Sequence, residues 1–267
     1  MRVKGKTNDS GRAKQFFVLF LLAFVVVILI YSFGSGSWHA KAANHEEHNV
    51  NNNMSAVSLI AIKENQRVTS SHIAVDTTSK KDVHDSNFVE FVISNLDGKS
   101  GQEGTVIVEL MPEWAPLGVE RIKELTAAKF WDECRVFRVV HRFMAQLGIN
   151  GDPKVQKRWI GNKIQDDPVK TSNVRGSVTF AMAGPNTRTS QIFFNKVDNK
   201  FLDGQGFSPF GKVVNGLEDV IDHINEEYAE KPNQGKIQNR GNEYLIQEFP
   251  RLSFIKTARF VSSADVK

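Results

Sequence analysis

The hydrophobic residues of this chain form one long uninterrupted run and, further along, many short alternating runs. The long run spans residues 16–33, reads FFVLFLLAFVVVILIYSF and carries no charge. At about 1.5 Å per residue, a helix of this length nearly crosses a hydrocarbon layer of about 30 Å. Every face of that helix is apolar, whereas a helix packed on a soluble core keeps a polar face. The pattern therefore predicts a transmembrane helix over residues 16–33, with a buried core helix as the weaker interpretation.

Charges on the two sides of the long run predict its orientation. Residues 1–15 carry five basic side chains against Asp9, whereas the segment after the run offers Lys41 against Glu46 and Glu47. The positive-inside rule then leaves residues 1–15 as a cytoplasmic tail. We therefore expect a single-pass type II membrane protein whose folded domain lies in the lumen of the secretory pathway.

A cleaved signal peptide is the alternative for this N-terminus. Residues 40–42 read Ala-Lys-Ala, a small-x-small form that would release a secreted protein. However, the apolar run is longer than the usual signal-peptide core of about 7–15 residues and ends well before that site. We expect the run to be retained as a signal anchor.

Residues 34–86 have the composition of a stalk or flexible linker. They contain a GSGS stretch and many Ser, Asn, Lys and Asp residues, with only a short apolar patch at residues 57–62. Such a segment buries too little apolar surface to fold alone. His45 and His48 lie three apart instead of the four that a helical zinc motif needs, so no metal site is predicted. Asn53 begins a glycosylation sequon that would be used only on the lumenal side.

From residue 87 onward, hydrophobic and polar residues alternate in short runs, a pattern typical of β-strands. Eight such runs occur, at residues 88–93, 105–110, 135–140, 143–147, 176–182, 191–195, 210–214 and 252–261. Helical spacing predicts two helices, over residues 117–129 and 217–228. We expect a mostly β domain over residues 87–263, built as a closed eight-stranded antiparallel β-barrel capped by two α-helices. Closure is expected because it removes exposed strand edges.

Composition and charge argue against several classes of protein. The net charge is only +4, and the basic residues are dispersed apart from the N-terminal group, which argues against nucleic-acid binding. Cys134 is the single cysteine, so no intramolecular disulfide or multi-cysteine zinc site can form, and we expect it to be a small buried or half-buried residue. Membrane-tethered glycosyltransferases share the anchor-and-stalk plan, but the Asp-x-Asp motif that they usually need is missing from this sequence.

Five motifs follow one another in the alternating region. They are VFRVV at 136–140, FMAQ at 143–146, AMAGPNT at 181–187, SQIFF at 190–194 and FLDG at 201–204, with PFGKV at 209–213 after them. In order and spacing the chain resembles a cyclophilin from about residue 87 to the C-terminus. The resemblance implies a peptidyl-prolyl cis-trans isomerase that uses neither a metal nor a cofactor. A likeness of fold does not by itself establish an activity, so each site residue is a separate prediction.

The resemblance assigns roles to twelve residues. Arg138 matches the family's catalytic arginine, whose permanently charged guanidinium would donate hydrogen bonds to a twisted prolyl amide. Gln146 matches a glutamine that acts beside it, and Gln191 one that helps to hold the arginine and the substrate backbone. The other matches imply substrate binding, by Phe137, Phe143, Met144, Ala181, Met182, Phe193, Phe201, Leu202 and Phe207. The expected proline pocket is apolar and consists of Phe143, Met144, Phe193 and Leu202.

Three positions depart from the family pattern. Phe137 stands where many cyclophilins have histidine, Met182 replaces an asparagine that contacts the substrate backbone, and Phe201 replaces a tryptophan. We expect activity to survive, because the reaction needs no general base. Peptide preference is expected to differ, and cyclosporin binding to be weak. The loop at residues 205–209 is one residue longer than usual, and Phe207 is the nearest match for the residue that closes the pocket.

The leading hypothesis is a membrane-anchored, monomeric isomerase. It would assist protein folding by rotating X-Pro bonds in proline-containing polypeptide clients. The alternative is a proline-peptide binding module or chaperone with little or no turnover, because Phe137, Met182 and Phe201 alter the site. Retention of Arg138 favours the enzyme.

Overall fold

A computed structural model of the protein describes residues 86–266. The strands are β1 (Phe88–Ser94), β2 (Glu103–Leu110), β3 (Arg138–Val140), β4 (Met144–Leu147), β5 (Ser177–Phe180), β6 (Ile192–Asn195), β7 (Pro209–Asn215) and β8 (Phe254–Val261). The α-helices are α1 (Pro116–Ala127), α2 (Pro153–Trp159) and α3 (Gln234–Glu248). Short 3-10 turns cover Leu96–Gly98, Lys200–Gln205 and Ser263–Asp265, and a π-helical turn covers Leu217–Ile221. The domain is mostly β, as predicted.

The predicted cytoplasmic tail, transmembrane helix and nearly all of the stalk fall in residues 1–85, outside the described residues. Among residues 86–266, no helix has both the length and the apolar character needed to cross a membrane. Membrane anchoring through residues 16–33 therefore stays a prediction.

All eight strands belong to one antiparallel sheet, in the order β3-β4-β6-β5-β7-β2-β1-β8. Each predicted strand is present, with bounds shifted by a few residues. Successive side chains point to opposite faces of a sheet. One face supplies the main core, to which α1 adds Val119, Ile122 and Leu125. The opposite face carries the row of side chains that includes Arg138 and Gln146.

The sheet is not a closed barrel, which corrects the prediction of closure. In the described part of the chain, a single bridge, between Arg135 and Phe254, joins the segment before β3 to the start of β8. Pairing does not continue along β3, because the N–H of Val139 donates to the carbonyl of Ala229 at 3.1 Å. We call residues 225–231, which contain Ala229, the strap. The strap occupies the edge that a closing strand would need.

Helix α1 confirms the first predicted helix, with a cap from a distant residue. Pro116 opens the helix, a position that tolerates the missing N–H. The carboxylate of Asp167 accepts hydrogen bonds from the backbone N–H groups of Leu117 (3.1 Å) and Gly118 (2.9 Å). A negative charge at these N–H groups stabilises the start of a helix.

The second predicted helix, over residues 217–228, is wrong beyond its first turn. The chain forms only the π-helical turn Leu217–Ile221 and then continues through turns. The long second helix is α3, which the hydrophobic pattern missed because Gly241 interrupts it. Gly241 has a φ of 58°, and a Cβ there would lie 2.0 Å from the carbonyl oxygen of Gly151. This close approach of two backbones requires glycine.

Helix α3 packs on a second apolar cluster, distinct from the main core, which we call the α3 cluster. Its buried members are Phe137, Ile149, Ile237, Tyr244, Leu245, Phe249 and Leu252. Tyr228 of the strap packs against it and meets the ring of Phe249 edge to face at 5.2 Å. Such aromatic pairs add stabilisation beyond their buried area. The cluster therefore holds the strap against the domain.

Candidate active site

A row of side chains crosses four strands on the face opposite the main core. Arg138 of β3 pairs with Gln146 of β4, Gln146 with Phe193 of β6, and Phe193 with Thr179 of β5. Residues directly opposite each other in paired strands share a face. The neighbouring row lies in the main core and consists of Val139, Ala145, Phe194 and Val178. Strand register therefore brings Arg138, Gln146 and Phe193 onto one surface.

The guanidinium of Arg138 is held from two sides. On one side, its Nη1 donates to Oε1 of Gln146 at 3.1 Å, and Nε2 of Gln146 donates to Oε1 of Gln191 at 2.8 Å. On the other side, its Nε donates to Oε1 of Glu230 at 2.6 Å, and its Nη2 lies 2.5 Å from the same oxygen. Charge-assisted contacts of this kind are stronger than neutral hydrogen bonds. The structure thus groups both glutamines with Arg138, as the resemblance implies.

Glu230 is a neighbour of Arg138 that sequence reasoning missed. It lies 92 residues after Arg138 in the chain, in the strap. No local sequence pattern identifies it, because the two residues meet only where the segment between β7 and α3 passes β3. Proximity in space, rather than a motif, identifies it.

An apolar floor lies next to the row. It is buried to 2–4% exposure and consists of Met144, Phe193, Leu202 and Phe207. The rings of Phe193 and Phe207 meet edge to face at 6.0 Å. Phe143 stacks on Phe201 at 5.8 Å, and Phe201 is 40% exposed. Three of the four predicted pocket residues are thus buried together with Phe207, whereas half-buried Phe143 lies against exposed Phe201.

A polar network fixes the turn Lys200–Gln205, which carries Phe201 and Leu202. Asp203 accepts hydrogen bonds from the Ser172 hydroxyl and from the backbone and side-chain N–H groups of Asn173, the last two at 2.8 Å. Nδ2 of Asn173 also donates to the carbonyl of Phe207 at 2.8 Å. Buried Asn173 therefore links the turn that carries Leu202 to the backbone of Phe207.

The same network changes the acidity of Asp203. Burial alone would raise its pKa, but hydrogen bonds from Ser172 and Asn173, together with the charge of Lys200, bring the pKa below its ordinary value. Asp203 is therefore ionised at neutral pH and can accept all three hydrogen bonds. The FLDG motif contains Asp203, but only the structure shows what the carboxylate binds.

Ala181 and Met182 form a wall beside the floor, directly after β5. The N–H of Ala181 donates to the carbonyl of Gln191 at 2.9 Å. Cε of Met182 lies 3.6 Å from the position that a Cβ on Gly206 would occupy. Both predicted residues therefore contact the segments that carry Gln191 and the floor.

The turn at residues 184–187 extends this wall and is tied down by acidic residues. The backbone N–H of Asp166 donates to Oδ1 of Asn186 at 2.9 Å, and its carboxylate accepts from the N–H of Asn186 at 2.6 Å. Buried Arg188 forms ion pairs with Asp166 at 3.2 Å and Asp167 at 3.0 Å. Asp167 also caps α1, so the turn and the helix share one anchor.

Phe137 lies outside this group, which corrects the prediction that it contacts substrate. Its side chain is 1% exposed and belongs to the α3 cluster. A histidine there would place a polar ring among apolar side chains, which is costly without a partner. The phenylalanine is therefore explained by packing beneath α3, a helix that the sequence pattern did not reveal.

Two other features bear on the chemistry of the domain. Within residues 86–266, no three His, Cys, Asp or Glu side chains are placed to hold a metal ion together. Cys134 is fully buried, as predicted, and burial raises the pKa of its thiol. A protonated, inaccessible thiol is a poor nucleophile.

Comparisons with known proteins point to one family. The family model for the cyclophilin type peptidyl-prolyl cis-trans isomerase/CLD matches residues 88–242. A probable peptidyl-prolyl cis-trans isomerase of Brucella suis is 33% identical over 149 residues, which cover 52% of this chain and 74% of that protein. Peptidyl-prolyl cis-trans isomerase A of Dickeya dadantii is 34% identical over 148 residues, covering 51% and 73%.

Among solved structures, a cyclophilin type peptidyl-prolyl cis-trans isomerase of Cryptosporidium parvum matches with a TM-score of 0.49 at 19% identity, covering 66% of this chain and 98% of that chain. The family model spans more than half of the present sequence. The chain belongs to the cyclophilin-type peptidyl-prolyl cis-trans isomerases.

Proposed function

We propose that Arg138 and the adjoining apolar floor bind a prolyl segment of a polypeptide and catalyse rotation about its X-Pro bond. The observation that supports this most is a guanidinium held between Gln146 and Glu230, in the same row as Phe193. Proline has no N–H, so its ring is suited to an apolar surface. The amide that it forms needs a donor nearby, which the guanidinium supplies.

The catalytic effect follows from the shape of the barrier. Rotation about an X-Pro bond crosses a barrier of about 18–20 kcal/mol, because the planar amide is stabilised by conjugation. In the twisted state conjugation is lost, and the proline nitrogen becomes pyramidal and can accept a hydrogen bond. A donor fixed in advance stabilises this state more than the planar one and therefore accelerates rotation. No covalent bond breaks, so the reaction needs no nucleophile or general base.

The floor and the wall have separate tasks in this proposal. Met144, Phe193 and Leu202 hold the proline ring and exclude water, which strengthens the hydrogen bonds of the guanidinium. Gln191 and Ala181 lie where the backbone of an extended peptide would run. Exposed Phe201 would contact the residue beside the proline, so the peptide preference depends on it.

Activity and binding are separated by measuring prolyl isomer exchange with the purified full-length chain and a proline-containing peptide. We expect the wild type to accelerate exchange, and Arg138→Ala to lose about 10²-fold or more of the acceleration, as for other preorganised donors. Arg259→Ala is the matched control, because Arg259 of β8 is an exposed arginine that pairs with Glu90 of β1. Peptide binding by the wild type without any acceleration would overturn the catalytic proposal in favour of a binding module.

We further propose that the domain acts on proline-containing clients during their folding in the secretory pathway, tethered by a helix over residues 16–33. The support is the charge-free apolar run, the basic residues before it and the sequon at Asn53. The test is protease treatment of sealed membrane vesicles that contain the full chain with a C-terminal tag. We expect the tag to survive until detergent is added. Digestion of the tag in intact vesicles would contradict the proposed topology.

A further inference from the structure

The contact between Arg138 and Glu230 is the feature of the site that the family resemblance did not indicate. One carboxylate oxygen of Glu230 meets both Nε (2.6 Å) and Nη2 (2.5 Å) of Arg138. Gln146 binds the same guanidinium through Nη1 (3.1 Å). The two partners therefore approach different edges of one planar group, and their contacts together define its plane.

The position of Glu230 is fixed by the strap and not by its own side chain alone. At the start of the strap, the N–H of Asn225 donates to the Ser253 hydroxyl at 3.0 Å, and its Nδ2 donates to the carbonyl of Arg251 at 2.8 Å. One residue before Glu230, the carbonyl of Ala229 accepts from the N–H of Val139 at 3.1 Å. Glu230 is thus delivered to Arg138 by backbone contacts with the neighbouring residue of β3.

Such a contact has two opposite possible effects on catalysis. An arginine side chain has many rotamers, so a partner that holds it in place removes the cost of ordering it when the substrate binds. A carboxylate also lowers the positive potential at the guanidinium and would thereby weaken its stabilisation of the twisted amide. The orientation effect depends on a hydrogen-bond acceptor, whereas the charge effect depends on the negative charge.

We infer that Glu230 is a positioning residue, whose carboxylate holds the Arg138 guanidinium in the orientation that meets the prolyl amide. This inference rests on the proposed function of Arg138. The side chains of Arg138 and Glu230 are 14% and 43% exposed, so the pair lies at the surface beside the row of site residues, where substrate can reach it. Positioning of Arg138 makes one residue of the strap, Glu230, part of the machinery for catalysis.

The experiment measures kcat/KM for prolyl exchange in the full-length protein and its variants. Positioning predicts that Glu230→Ala lowers kcat/KM about tenfold, whereas Glu230→Gln stays within about threefold of wild type, because its amide oxygen can accept the same two hydrogen bonds. In the Arg138→Ala background, Glu230→Ala should have no further effect. Wild-type activity in Glu230→Ala, activity more than about threefold above wild type in Glu230→Gln, or a further loss in the double variant would each overturn the inference.

Glu227→Ala is the matched control for the strap. Glu227 lies in the same segment with the same 43% side-chain exposure, and it pairs with Arg251 at 3.1 Å instead of with β3. We expect its kcat/KM to equal that of the wild type. A loss as large as that of Glu230→Ala would show a general effect of the strap and overturn the inference.

A spectroscopic measurement tests the contact independently of catalysis. The Nε–H of Arg138 in the wild type should exchange with solvent more slowly than that of an exposed arginine, and this protection should persist in Glu230→Gln. Exchange as fast as in a free arginine would overturn the inference. If the wild type fails to accelerate prolyl exchange, the proposed function fails, whereas the Nε–H signal still reports on the contact itself.

Discussion

The row that contains Arg138 and the α3 cluster both contact the strap, through Glu230 and Tyr228, and are held together by different forces. In the row, Arg138 and Gln146 are positioned by directional hydrogen bonds and an ion pair. In the α3 cluster, Phe137, Tyr244 and Phe249 are held by the packing of apolar side chains. Hydrogen bonds fix angles, whereas apolar burial is non-directional and fixes mainly volume.

The difference shows which part of the domain supplies stability and which supplies geometry. A truncation in the α3 cluster removes buried apolar area and leaves a cavity, so it should lower the free energy of unfolding. A truncation among the hydrogen-bonded residues should lower the free energy of unfolding less. It should instead displace a side chain that, in the proposed function, contacts substrate. Each substitution below tests whether stability and catalysis separate in this way.

The largest loss of stability is expected from Phe137→Ala. Removal of a fully buried ring from the α3 cluster should lower the free energy of unfolding by about 3–5 kcal/mol, because the cavity is only partly refilled. Urea unfolding measures the loss, and prolyl exchange below the transition should remain close to wild type. Phe201→Ala, at an exposed aromatic side chain, is the control and should show the reverse: a small loss of stability and weaker peptide binding.

Phe137→His sharpens the same point. If this position faced substrate, restoring the histidine common in the family would change kcat/KM. The structure instead predicts an imidazole buried in the α3 cluster, which should lower the free energy of unfolding by about 1–3 kcal/mol. A gain in activity with unchanged stability would contradict the placement of Phe137.

An intermediate loss is expected from Asp203→Ala. The change leaves donors of Ser172 and Asn173 without their acceptor, which should cost about 1–3 kcal/mol. Because the turn Lys200–Gln205 carries Leu202, we also expect KM for a proline peptide to rise. Asp219→Ala, at an exposed aspartate in the π-helical turn, is the control. An unchanged KM in Asp203→Ala would show that the polar network supplies only stability.

Acid should weaken the polar network in a graded way. The pKa of Asp203 is lowered in the folded state, so its ionised form contributes stability that is complete above the ordinary aspartate pKa of about 3.9 and is lost as pH falls through the folded value. The free energy of unfolding should therefore fall below about pH 4, and less steeply in Asp203→Asn. Some slope should remain, because the hydrogen bond from Arg175 also lowers the pKa of Asp222. Identical slopes in urea unfolding would contradict this role of Asp203.

The smallest effect is expected away from both regions. Lys256 of β8 forms an exposed ion pair with Glu103 of β2 at 2.9 Å. Lys256→Ala should change the free energy of unfolding by no more than about 1 kcal/mol, because solvent and salt screen exposed pairs. A larger change, or any change in prolyl exchange, would mean that β8, at the edge of the sheet, also contributes to stability or catalysis.

The sequence was sufficient wherever the controlling interactions are local. Alternation located all eight strands, and helical spacing located α1, because both patterns depend on near neighbours. The sequence pattern did not reveal α3, because the fit of Gly241 depends on the backbone of Gly151. It also predicted a closed barrel, because it could not show that Ala229 occupies the edge of β3. These are contacts between distant parts of the chain.

The same limit applies to the candidate site. The family resemblance grouped Arg138, Gln146 and Phe193, and strand pairing places them in one row. The resemblance did not reveal Glu230 or Asn173, which reach the site from irregular segments. The role first given to Phe137 was wrong because its neighbours belong to a helix that the pattern had missed.

The pairing of β1 with β8 has a consequence for the synthesis of this protein. Phe88 of β1 lies opposite Val261 of β8, so one edge of β1 stays unpaired until β8 has been synthesised. On the ribosome, β1 and β2 emerge long before β8, and until then one edge of β1 is exposed to other chains. The domain can therefore complete its fold only after residues 254–261 have left the ribosomal exit tunnel.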